Sequence, residues 1–168
     1  MTLNNFKASY ILNKCEILFL LNGIKDVAPS HTARHIISQY LTDSVVLQEV
    51  IDSLVYKKLV TQISGQIVLE PIVDLLVRSV LSSDMLWIIQ CAEDKGSVLV
   101  LKAEEIYLYI RRYPHIDGAW KITPYQSKET LLCEFDGLTV EGVELIDADG
   151  KQQTLKVDEG NSWLEDTK

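Results

Sequence analysis

The chain has 168 residues, which suits one domain or two small subdomains around a shared core. A hydrophobic content of 47% with eight glycines and four prolines excludes a disordered or fibrous chain. A net charge of −8 repels phosphate backbones unless basic residues cluster locally, and only Lys57–Lys58 and Arg111–Arg112 do so.

Three cysteines, Cys15, Cys91 and Cys133, lie far apart without a Cys-x-x-Cys pair, so neither a zinc site nor a disulfide framework is expected. All three sit in apolar surroundings and read as small core residues. The first ten residues lack the basic stretch and apolar run of a secretory leader. The longest apolar runs fall far short of the roughly 20 residues that span a bilayer. A cytoplasmic protein with no membrane insertion is therefore expected.

Apolar spacing at Tyr10, Ile11, Cys15, Leu18 and Leu21 predicts a first helix over 6–21, stopped by Gly23. Ser30 is a candidate N-cap for a second helix ending near Tyr40. Thr42 or Asp43 can cap a third, whose regularly spaced apolar face is Val46, Leu47, Val50, Ile51 and Leu54. Two alternating runs within 59–69 flank Ser64-Gly65, a hairpin signal. Pro71 opens a fourth helix to about Leu81. Residues 30–69 thus follow the order of a winged helix-turn-helix. Its second helix, which would enter DNA, carries Asp43, Glu49 and Asp52 against Lys57 and Lys58 at its far end. That charge pattern favours a protein partner over nucleic acid.

The pattern changes after Ser83. Residues 85–91 and 97–101 read as strands around an Asp94-Lys95-Gly96 turn. Residues 106–111 alternate strictly, and 119–123 follow a turn at 114–118, giving an antiparallel meander of about four strands. A short helix starts at Ser127 and ends at Gly137, and a hairpin joins 140–146 to 153–157 through Asp147-Ala148-Asp149-Gly150. The predicted fold is α+β, with winged-helix-like helices before an antiparallel sheet flanked by helices. Its expected divisions are a helical subdomain at 1–83, a β-rich subdomain at 84–158 and a loose tail at 159–168.

No catalytic set emerges, and no enzyme activity, cofactor or metal is expected. His31 and His35 stand one helical turn apart, a spacing that can clip a metal, but no third ligand is near in sequence. Each cysteine would need His115 as its base, and nothing in sequence joins them. Glu104-Glu105 sits at the start of a strand. Asp147 and Asp149 begin like a calcium loop that lacks its distal Glu. The richest candidate is the aromatic–arginine set Tyr107, Tyr109, Arg111, Tyr113 and Trp120, with Arg112 beside it. Such residues concentrate binding energy at protein interfaces. The same pattern also arises where a sheet face is covered by the chain's own helix.

The order of elements resembles a known family. Phe6-Lys7-Ala8-Ser9-Tyr10-Ile11-Leu12 opens a helix, and Leu54-Val55-Tyr56-Lys57-Lys58-Leu59-Val60 leads into the Ser64-Gly65 turn. A proline-started helix and three strands follow, and Trp120-Lys121-Ile122-Thr123-Pro124 runs into Ser127-Lys128-Glu129-Thr130-Leu131-Leu132. This pattern, over 6–137, is similar to the EspG-type chaperones of type VII secretion and their Gram-positive relatives. The resemblance implies an antiparallel sheet flanked by helices and a cytosolic, non-enzymatic protein that binds helical substrates before export. The chain departs from that family in being closer to half of its pseudo-symmetric fold, and a homodimer would supply the other half. The other reading is a winged-helix transcriptional regulator with a C-terminal sensing or dimerisation domain.

Overall fold

A computed structural model describes residues 9–41, 47–93, 97–104, 106–157 and 162–164. The mixed α+β class is as expected, with helices in the first half and a large antiparallel sheet beyond. In chain order the elements are β1 (Tyr10–Asn13), α1 (Lys14–Gly23), α2 (His31–Tyr40), α3 (Leu47–Tyr56), β2 (Val60–Ile63), β3 (Gln66–Leu69) and α4 (Pro71–Leu81). Then come β4 (Met85–Cys91), β5 (Ser97–Ala103), β6 (Ile106–Arg112), β7 (Ala119–Tyr125), α5 (Lys128–Leu132), β8 (Val140–Ile146) and β9 (Gln152–Leu155). Single 3₁₀ turns lie at Cys133–Phe135 and Ser162–Leu164.

Local chemistry explains most of these boundaries. Ser30 accepts a hydrogen bond from the Ala33 amide and starts α2. Pro71 occupies the first turn of α4, where its missing N–H costs nothing. Ser64 and Gly65 both take positive φ and close the β2–β3 hairpin. The expected caps at Thr42 and Asp43 and the turn at Asp94-Lys95-Gly96 lie outside the described residues.

The first helix is shorter than its apolar spacing predicts. Tyr10–Asn13 is a strand, and α1 begins only at Lys14. The reason is a capping box: Asn13 accepts from the Glu16 amide, and Glu16 accepts from the Asn13 amide. Gly23 is the last helical residue, and the extended Ile24 follows it.

The main sheet runs β1-β7-β6-β5-β4-β8-β9, antiparallel throughout. β4 to β7 form the expected meander, extended by β1 at one edge and the β8–β9 hairpin at the other. Both faces are covered, so β4 and β5 are nearly continuous apolar runs. On one side Leu20, Leu54, Val77 and Leu81 from the helices pack on Leu86, Ile88, Leu99, Leu108 and Ile122. That cluster draws from both sides of Ser83. On the reverse side Trp87, Val100, Tyr109 and Leu145 meet Leu131, Phe135, Trp163 and Leu164.

Two burial expectations are corrected here. Trp163 and Leu164, set apart with the tail, are 0% and 4% exposed and belong to the reverse-side core. Cys133 is exposed rather than buried, because α5 and the 3₁₀ turn after it point Leu131 and Phe135 inward instead; Cys15 is half-buried and Cys91 buried. Among the described residues no helix is long and apolar enough to cross a membrane.

Candidate functional site

The aromatic–arginine set does not form one surface. Register pairs Tyr107 with Tyr125, Tyr109 with Thr123 and Arg111 with Lys121 on the reverse face. Trp120 lies on the helix side, where its ring meets Tyr40 edge-on at 6.1 Å. Tyr109 and Trp120 are 1% and 7% exposed, so each serves the chain's own packing. Tyr107 and Arg111 are half-buried beside them, and Tyr113 leans on His115 in the β6–β7 turn. Burial pushes the Tyr109 phenol up to about 12, with the nearby Arg111 charge opposing that shift. Its neighbour Tyr125 is also raised, by burial and by its hydrogen bond to Glu134.

The other sequence candidates are scattered. His31 packs over Gly150, where an added Cβ would sit 3.1 Å from the imidazole, and His35, one turn further on, lines a groove with Glu144 and Gln152. Asp147 accepts hydrogen bonds from the Asp149 and Lys151 amides and so closes the β8–β9 turn. Cys15 packs on the helix-side cluster and Cys91 in the reverse one. Glu104 is exposed at positive φ, and Glu105 lies outside the described residues. Among the described residues no three His, Cys, Asp or Glu side chains gather to hold a metal.

The segment from α1 to the β2–β3 hairpin carries two features that matter for partners. The first is a buried ion pair. Glu16 is fully buried and receives Lys57 Nζ at 2.7 and 3.0 Å, together with the Ser53 hydroxyl. The same ammonium donates to the Ile11 carbonyl on the outer edge of β1. Lys57 therefore pins α3 to α1 and β1, and its charge is already matched. The second is exposed apolar surface. Tyr56 at the end of α3 is 88% exposed, and Ile63 and Val68 on the hairpin are 56% and 45% exposed. Register puts Ile63 and Val68 on one face of the hairpin, with Thr61 and Gln66.

A further polar site has no counterpart among the sequence candidates. A groove of about 570 Å³ opens beside α2, where the helix-side face of the sheet turns polar. Gln90 stands opposite both Ser97 and Gly142, and Glu144 stands opposite both Ile88 and Thr154. Gln152 stands opposite the core residue Ile146. Cross-strand partners share a face, so these polar groups lie on the face that carries Leu86 and Ile88. Gly142 adds no side chain to the floor.

α2 forms the wall through His35, Gln39 and Tyr40. Gln90 Nε2 donates to Ser97 Oγ at 2.6 Å, and Gln152 Nε2 donates to Glu144 Oε2 at 2.8 Å. Burial lowers the His35 pKa, partly offset by the Glu144 charge. Burial also raises that of Tyr40, with the nearby Ser97 hydroxyl opposing the shift. The imidazole and phenol are thus neutral near pH 7, and among the described residues Glu144 is the charged side chain lining the groove. The usable signal was parity: Gln90, Glu144 and Thr154 occupy positions whose strand neighbours two residues away face the helices.

The chain matches no family model, no curated protein and no solved structure.

Proposed function

We propose that the protein is a non-enzymatic adaptor that binds a protein partner through the end of α3 and the β2–β3 hairpin. The observation that carries this reading is the exposed set Tyr56, Ile63 and Val68 on α3 and the hairpin that follows it. Exposed apolar side chains grouped on adjoining elements mark protein-interaction surfaces. The partner would present an amphipathic helix, whose apolar stripe fits such a surface. Within this class the element pattern favours a cytoplasmic chaperone of secreted helical substrates, as in the EspG-type resemblance.

Charge argues against the regulator alternative. Lys57 is held by Glu16, which leaves Lys58 as the basic group at the end of α3, while Glu49 and Asp52 are exposed on the same helix. A phosphate-binding surface needs several unmatched cations.

The test is capture from source-cell lysate at moderate salt, with the wild type beside a Tyr56→Ala, Ile63→Ser, Val68→Ser variant. The expected result is a small helical exported protein held by the wild type and lost from the variant. Equal capture by both proteins removes this surface as the site. Retention of DNA that falls away as salt rises overturns the adaptor reading in favour of the regulator.

A further inference from the structure

We propose that the groove between α2 and the β4-β5-β8-β9 corner is a binding site for an organic cation, an ammonium or guanidinium group. The argument begins with what the groove already satisfies. Gln90 gives an amide proton to Ser97 Oγ at 2.6 Å. Gln152 gives an amide proton to Glu144 Oε2. Each of these bonds uses one donor and one acceptor, and what stays unmatched is the Glu144 carboxylate: Oε1 is open, and among the described residues no ion pair includes it. Its complement is a group rich in donors that accepts nothing, which describes ammonium and guanidinium.

Charge and shape agree with that complement. Among the described residues Glu144 is the charged lining group, and the whole chain at −8 draws cations toward it. The Tyr40 ring is steadied by edge contact with Trp120 at 6.1 Å and a tilted contact with His35 at 6.5 Å. An aromatic face beside a carboxylate adds cation–π attraction to the ion pair. The missing side chain at Gly142 leaves the floor open for the aliphatic stem that carries the cation. This site is separate from the α3–hairpin surface and does not depend on the adaptor reading.

Two sources present this chemistry: a free small cation and an Arg or Lys side chain of a partner. The experiment is an amide NMR titration of the full chain with N-acetyl-argininamide, against its neutral isostere N-acetyl-citrullinamide. Saturable shifts at Tyr40, Ser97 and Glu144 are expected with the arginine probe. Binding should weaken about tenfold for the citrulline probe and for Glu144→Gln, the loss of one charge-assisted contact. Glu144 is exposed, so its substitution leaves the fold intact, and an unchanged spectrum elsewhere verifies this. Absence of saturable shifts, or equal binding of the two probes, overturns the proposal and leaves the adaptor reading standing. Agmatine and a helical peptide with one arginine then separate the sources. Tighter peptide binding assigns a partner's side chain, and tighter agmatine binding assigns a free cation.

Discussion

The two faces of the seven-stranded sheet are sealed by different materials. The helix side is covered by four helices and packed with branched aliphatic side chains. The reverse side is covered by α5 and two 3₁₀ turns, and it relies on large rings. Phe135 meets Tyr109 edge-on at 5.6 Å and Trp163 at 5.3 Å. Aromatic rings bury much area per residue, so a short stretch of chain can close a face that otherwise needs whole helices. Polar groups divide the same way. The helix side buries Glu16 with several hydrogen bonds. Among the described residues the reverse side leaves Trp87 Nε1 and Tyr109 Oη without hydrogen-bond partners.

The largest test of this contrast is Trp163→Ala. On a thinly covered face one ring carries more of the seal than one aliphatic residue does among four helices. The expected loss is about 3–5 kcal/mol in urea denaturation, accompanied by binding of a hydrophobic dye to the opened face. A loss below about 1 kcal/mol with no dye binding would show that the ring is not needed for closure.

The buried ion pair on the helix side gives an asymmetric prediction. Lys57→Ala leaves the fully buried Glu16 without its counter-charge, and the expected cost is about 3–5 kcal/mol. Glu16→Gln leaves Lys57, whose side chain is 33% exposed, free to turn to water, so the cost falls to about 1–3 kcal/mol. Equal losses would mean that the pin is mechanical and that burial of the carboxylate does not matter. On the reverse side Tyr109→Phe deletes an unpartnered hydroxyl and keeps the ring. It should be neutral or stabilising by up to about 1 kcal/mol, and a clear loss would reveal a partner for that oxygen.

What could be read in advance follows the range of the interactions. Ser30, Ser64-Gly65 and Pro71 act on their immediate neighbours, so α2, the small hairpin and α4 were legible. The meander was legible because each strand pairs with its sequence neighbour. β1 was not, although the Asn13–Glu16 box marked the true helix start. Its partner is β7, and the Ser9 and Thr123 hydroxyls that meet at 2.9 Å are 114 positions apart. Trp163 looked like a stray ring in a polar tail because Phe135 and Leu131, which bury it, come from a distant helix and turn. The aromatic–arginine set misled for a related reason. Trp120 stands on the opposite side of the sheet from Tyr107, Tyr109 and Arg111, and only strand register reveals it. The groove needs β4 beside β8 and α2 above both, an arrangement with no local signature.

The smallest expected effect lies at the corner where the helix side ceases to be apolar. His35 is partly buried there, and burial holds its pKa below the usual imidazole value, while Glu144 pulls it upward. Glu144→Gln should therefore lower the His35 pKa further, read from its ring-proton shifts across pH. The sign for stability follows. Between the depressed folded pKa and the unfolded value of about 6.5, the unfolded chain binds more protons. Stability is fully present above that window and declines as pH falls through it. His35→Gln should remove this part of the slope. An upward shift of His35 in Glu144→Gln would mean that the carboxylate does not face the imidazole. The apolar helices would then wall off a groove that lacks the charge to hold a cation.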